Sequence, residues 1–259
     1  MKRLLVCLLL VGVVGCGDPV AELEGKGARF TKTERGEVVG AYFLGTKITD
    51  EGLVHLKGLT NLQTLNLVRT KITDAGLVHL KGLTNLGTLE LHSTQVTDAG
   101  LVHLKGLTKL QTLGLAGTKI TDAGLVHLKN LTRLERLSLG FSQITDTGLE
   151  NLKELTALRT LEIQFTQISD AGLEHLMHLK NLRMLELEKT NITDAGLVHL
   201  KELTGLQELN LWWTPITDAG LVHLKELTKL KRLNLALTDV TDAGVAELQK
   251  ALPDCEIKH

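Results

Sequence analysis

Apolar residues fall at two alternating spacings along most of this chain. From Leu62 the order is Leu62-x-x-Leu65-x-Leu67-x-x-Thr70-x-Ile72-Thr73-Asp74-Ala75-Gly76-Leu77-x-x-Leu80-x-x-Leu83. Leu65 and Leu67, two apart, point to one face of a short strand. Leu77, Leu80 and Leu83, three apart, point to one face of a short helix. Each unit therefore predicts strand, turn, helix and turn. It recurs every 24 residues without insertion, its Asp falling at Asp50, Asp74, Asp98, Asp122, Asp146, Asp170, Asp194, Asp218 and Asp242. A fixed period in this range predicts a solenoid, because one unit can bury its apolar face only against its neighbours. Each buried Leu contributes ~1.5–3 kcal/mol, which offsets the ordering entropy only once adjacent units cover it.

The ends of the chain depart from this pattern. Residues 1–15, MKRLLVCLLLVGVVG, place a basic start before an apolar run and small residues, the build of a secretory signal peptide. Residues 16–27 are short, mixed in charge and glycine-bearing, and predict a tether. Residues 28–259 then form the repeat domain. Ala28 to Thr33 and Glu37 to Leu44 flank the turn-like Glu34-Arg35-Gly36 and predict a hairpin over the open end of the stack. Ile257 lies 24 residues after Leu233, so a last strand is expected to close the other end.

The spacing LxxLxLxx followed by ITDxGL resembles the leucine-rich repeat. The ITDAGL half is most like the cysteine-containing subclass and bacterial leucine-rich-repeat lipoproteins. The resemblance spans about Val38 to Ile257. It implies an α/β right-handed solenoid, a horseshoe or arc with a parallel sheet on the concave face and short helices on the convex face. One departure is systematic: Thr or Ser (Thr46, Thr70, Thr94, Thr118, Ser142, Thr166, Thr190, Thr214, Thr238) stands where the family carries Asn or Cys. A buried hydroxyl needs a partner, and backbone groups of adjacent turns are the expected ones. Val13-Val14-Gly15-Cys16 resembles the lipobox of bacterial lipoproteins. This implies lipidation at Cys16 and a membrane-anchored protein of the bacterial cell envelope, at the outer membrane or the extracytoplasmic face of the inner membrane. Two or more acyl chains suffice for such an anchor without a spanning helix.

Composition narrows the function classes. The formal charge is −1, and losing a leader with Lys2 and Arg3 makes the remainder more acidic. Neither charge nor any basic block suggests nucleic acid. Cys7 and Cys16 precede the repeats and Cys255 stands alone within them, so the repeat body has no disulfide framework. No nucleophile elbow, phosphate loop, HExxH or catalytic carboxylate pair is present, which points away from an enzyme and away from any cofactor.

Two ladders imitate sites. His55, His79, His103, His127, His175, His199 and His223 form a column interrupted by Asn151. Helices ~8–10 Å apart cannot share a metal between adjacent imidazoles, so no metal site is expected. The Asp series lacks the glycine-rich nonapeptide of calcium-binding repeats and is expected beside Thr caps in the positive field of helix N-termini. Gly76 and its copies suggest a place where a side chain would strike the neighbouring repeat.

In a repeat protein, function is expected where copies differ and face solvent. The position of Val68 becomes Gln164, Glu188, Trp212 and Ala236 in later copies. The next position becomes Phe141, Phe165, Lys189, Trp213 and Leu237. Clustered aromatics on the concave rim are the usual anchors of an interface. Partner-binding residues are accordingly expected at Phe141, Phe165, Glu188, Trp212, Trp213 and Leu237. The expected role is a monomeric, non-catalytic scaffold that takes a protein or peptide. A glycan-binding module using the same rings and an F-box-like substrate adaptor are the alternatives, the second disfavoured because no F-box-like helical segment precedes the repeats.

Overall fold

The computed structural model describes residues 18–259; the leader and Cys16 lie outside them. The chain begins with helix α1 (Pro19–Gly25) and a hairpin of β1 (Arg29–Lys32) and β2 (Val38–Tyr42). Nine three-residue strands follow: β3 (Thr64–Asn66), β4 (Thr88–Glu90), β5 (Thr112–Gly114), β6 (Arg136–Ser138), β7 (Thr160–Glu162), β8 (Met184–Glu186), β9 (Glu208–Asn210), β10 (Arg232–Asn234) and β11 (Glu256–Lys258). They make one open sheet in chain order from β1 to β11. Every pair after β1–β2 is parallel. From β3 onward the register advances by one whole unit per strand, so Leu65, Leu89, Leu113 and their copies form one buried row. Short helices lie on the convex side of the resulting arc.

The two spacings of Leu produce these elements directly. Leu65 and Leu67 enter the core while Thr64 and Asn66 face the concave side. On the other side, Asp74–Leu77 makes a single α turn and Val78–Leu80 continues as a 3₁₀ turn. A helix of three residues per turn lines up positions three apart, which is why Leu77, Leu80 and Leu83 are all fully buried. Among the described residues only the last helix, Asp242–Ala251, reaches 10 residues.

Repeats are stapled to each other through the Asp series. Asp50 Oδ1 accepts from the Thr73 backbone N–H at 2.9 Å, and its Oδ2 accepts from the Thr73 hydroxyl at 2.6 Å. The same pair of bonds recurs from Asp74 to Thr97 and onward to Asp218 and Thr241. Thr73 in turn caps its own helix, accepting from Ala75 N–H at 3.3 Å. Gly76 sits where a Cβ would come within 2.4 Å of Asp50 Oδ1, so the glycine makes room for the staple from the preceding repeat.

Two sequence-based expectations are corrected. The Thr hydroxyls do not reach adjacent repeats: Thr70 Oγ1 donates to Leu67 O at 2.7 Å within its own turn, and its copies from Thr94 to Thr238 do the same. A three-residue chain reversal brings that carbonyl nearer than any neighbour's. Residues 19–25 of the expected tether form α1, capped by Asp18, whose side chain accepts from Val20 N–H at 3.0 Å. Val20 and Leu23 are buried against the first repeat, so this segment covers the apolar end of the stack. Phe30 packs edge-on against Phe43 beside it, with ring centres 6.0 Å apart.

Candidate functional site

Each repeat leaves its strand through one residue in the left-handed backbone region. Arg69, Ser93, Phe141, Phe165, Lys189, Trp213 and Leu237 all have φ between 47° and 59°, and Gly45 and Gly117 occupy the same place. That conformation costs a residue with a Cβ about 1–2 kcal/mol relative to glycine. The sheet ladder holds it: Phe141 N–H donates to Gln164 O at 2.9 Å, Phe165 N–H to Glu188 O at 2.8 Å, and Trp213 N–H to Ala236 O at 3.0 Å. With its backbone fixed on both sides, the side chain projects from the rim of the concave face.

The aromatic residues of this rim meet in one ridge. Phe141 and Phe165 stack with centroids 4.3 Å apart and planes 13° from parallel. Phe165 approaches Trp212 at 6.3 Å, and Trp212 meets Trp213 edge-on at 5.3 Å. Phe141 is 55% exposed and Trp213 48% exposed, while Phe165 and Trp212 are half-buried. Leu237, 67% exposed, occupies the same left-handed position one repeat further on. Glu188 is half-buried and accepts from Asn210 Nδ2 at 2.6 Å. The expected residues of the repeat body thus lie along one side of repeats five to nine. Cys16 lies outside the described residues.

Lys189 was not singled out by sequence, yet it completes the ridge. Its Nζ lies 3.8 Å from the Trp213 ring centre and 5.7 Å from that of Phe165. The signal was available, since Lys189 lies 24 residues from each of these two aromatics. An ammonium held over ring faces is a cation–π contact.

Inward from the ridge, the sheet carries charge. Arg136 pairs with Glu162 and Arg232 with Glu208. Glu186 lies between these pairs. Burial foremost pushes its carboxyl above the usual range; repulsion from Glu188, Glu162 and Glu208 adds to this, and an amide contact from Asn210 opposes it.

The ladders on the convex side behave as structure. His79, His103 and His127 are held below the ordinary imidazole range, first by burial and then by Lys57, Lys81 and Lys105 of the preceding repeats. Among the described residues, no group of three or more His, Cys, Asp or Glu side chains is arranged to hold a metal. From Asp50 to Asp218, both oxygens of each Asp carboxylate are engaged by the next repeat. Cys255 is buried and free, and its thiol is pushed up to about 11, chiefly by burial. Among the described residues no helix is long and apolar enough to cross a membrane.

Family models agree with this architecture. A leucine-rich-repeat model matches residues 60–120, a two-copy leucine-rich-repeat model matches 108–154, and a third matches 154–177 and 226–248. The chain is a leucine-rich-repeat protein. Among solved structures it is similar to internalin C2 of Listeria monocytogenes, with a TM-score of 0.62 and 27% identity over 86% of this chain and 92% of that one. A second internalin of that organism (inlF) matches at a TM-score of 0.50 and 20% identity, covering 93% of each chain. The ectodomain of the Arabidopsis thaliana receptor kinase GASSHO1/SCHENGEN3, solved in complex with Casparian strip integrity factor 2, matches at 0.53 and 19% identity. That match covers 82% of this leucine-rich-repeat chain and 28% of the receptor chain. No curated protein matches significantly.

Proposed function

We propose that this leucine-rich-repeat protein is a non-catalytic scaffold of the bacterial cell envelope. It is anchored through a lipid on Cys16 and binds a protein or peptide along the rim of its concave face. The observation that carries the reading is the aromatic ridge at positions 141, 165, 212 and 213. Three of its members (Phe141, Phe165 and Trp213) and Lys189 occupy a backbone conformation that glycine would adopt more cheaply, and Phe141 and Trp213 are exposed. Large side chains retained at a local cost, in contact with one another and open to solvent, are anchors for a partner rather than fillers of a core.

The ring arrangement favours a protein over a glycan. Phe141 and Phe165 cover one face of each other, and Lys189 occupies a face of Trp213. Sugar stacking needs open faces, whereas a protein's apolar side chains can pack against ring edges and the exposed flank. The plant receptor ectodomain, solved in complex with Casparian strip integrity factor 2, is a precedent at the level of fold only.

The test is crosslinked capture from envelope extract. A protein retained by the full chain and lost on joint Trp212→Ala and Trp213→Ala substitution supports the reading; equal recovery by both counts against it. Palmitate labelling lost on Cys16→Ala would support the anchor, and undiminished labelling would remove it.

A further inference from the structure

Beside the ridge, the concave face has hydrogen-bond acceptors with too few donors. Ser138, Glu162 and Glu186 occupy paired positions on β6, β7 and β8, facing the concave side. At the ~4.8 Å spacing of strands they span about 10 Å. Gln164 and Glu188 stand two residues past Glu162 and Glu186, just beyond the ends of β7 and β8 and between that row and the rings. The Gln164 side chain lies over Gly140, where a Cβ would come within 2.6 Å of its Cδ.

Ser138 is only 1% exposed and its Oγ has no hydrogen-bond partner; Gln164 Oε1 is likewise buried and unpartnered. An unmet buried polar group costs about 1–3 kcal/mol, so two in adjacent repeats of one face point to groups supplied from outside. Of the carboxylates, Glu162 is paired with Arg136 and Glu188 holds the Asn210 amide. Among the described residues no cation is paired with Glu186. Burial first, and then the neighbouring Glu188, Glu162 and Glu208 carboxylates, hold its carboxyl above the ordinary range. What completes the patch must bring donors and a positive charge, and must fit against Phe165 and Trp212.

We propose that this patch receives a basic side chain of the protein partner, an arginine by preference, between Ser138, Gln164 and the Glu186–Glu188 carboxylates, beside the Phe165–Trp212 rings. A guanidinium carries five donors in one plane and stacks on aromatic rings, so it can engage carboxylates and ridge together. The inference rests on the protein-binding reading above and gives that partner a chemistry.

The probe is a phage-displayed library of random dodecapeptides, selected on the immobilised full chain. Selected peptides are expected to be enriched in Arg and Lys. Replacing the enriched basic residue of a selected synthetic peptide by Gln should weaken binding ~10-fold, the size of one hydrogen bond to a charged group. Glu186→Gln with Glu188→Gln should weaken the basic peptide by a similar factor and abolish the difference between the basic and Gln peptides. Selection without basic enrichment, or no selection at all, would overturn the proposal, as would a difference that survives in the double variant. The ridge reading fails separately: there Trp212→Ala with Trp213→Ala would leave capture from extract unchanged whatever the peptides show.

Discussion

A left-handed residue after each strand from β2 to β10 separates what the fold needs from what the surface does. At Phe141 the backbone is held by its N–H bond to Gln164 O, while the ring touches Phe165 and water. Phe141→Gly removes ~0.5–1.5 kcal/mol of ring stacking and recovers a similar amount of backbone strain. Its urea midpoint should correspond to within about 1 kcal/mol of the parent. A core role would cost ~3–5 kcal/mol instead, as Phe→Ala in a packed interior does. Glu186 gives a second prediction with a defined sign. Its folded pKa lies above its unfolded value, so its contribution to stability is fully present below about 4.5 and is lost as pH rises through the folded value. Glu186→Gln should therefore raise the melting temperature at pH 7 and leave it nearly unchanged at pH 4; a lower value at pH 7 would refute the burial and carboxylate repulsion that raise its pKa.

At the scale of the element, each helix start is shared between two repeats. Asp98 accepts both the backbone and hydroxyl bonds of Thr121, and Gly124 leaves room for that carboxylate. Gly124→Ala would place a Cβ 2.4 Å from Asp98 Oδ1 and 3.0 Å from Leu101 Cδ1. A loss of ~1–3 kcal/mol is expected. Asp98→Ala should cost ~1–3 kcal/mol by leaving the Thr121 N–H unmet. Because removing the carboxylate also relieves much of the clash, the double variant should lose less than the two single losses combined, measured by denaturant unfolding. Strict additivity would mean that the glycine answers to something other than the staple. The same geometry depresses Asp218, through its hydroxyl and backbone bonds from Thr241. Its stabilising effect is present above its ordinary value of 3.8 and fades as pH falls through the depressed one.

At the scale of the molecule, a solenoid must cover its two open ends. The first end is closed by α1 and the β1–β2 hairpin, with Leu23 fully buried against the first repeat. Leu23→Ala should therefore cost ~2–5 kcal/mol. Residues 19–25 acting as a loose tether would instead put the change within about 0.5 kcal/mol. The far end is closed by the last helix and β11, with Cys255 tucked beneath them. Between the ends, every unit contacts its neighbours through the same Leu rows, so the arc is one continuous apolar core.

The strand and helix of each unit were legible because period and burial are local properties: an apolar residue every second or every third position selects its element without knowledge of the rest. The rim residues were legible as well, since an unvarying frame makes departures such as Phe141 and Trp213 stand out. What stayed hidden depends on distances across the chain. Thr70 could have bonded either its own turn or the next, and only the tightness of the folded turn selects Leu67 O. Asp50 was expected only to sit in the positive field of its own helix start, but the placement of the next repeat hands its oxygens to Thr73. Pro19 to Gly25 carries too few apolar residues to announce a helix, and only the exposed end of the stack gives Val20 and Leu23 something to cover. Sequence alone determined the repeating unit and its core. Tertiary structure decided which polar groups meet, because a hydrogen bond depends on ångström-scale placement that periodicity does not encode.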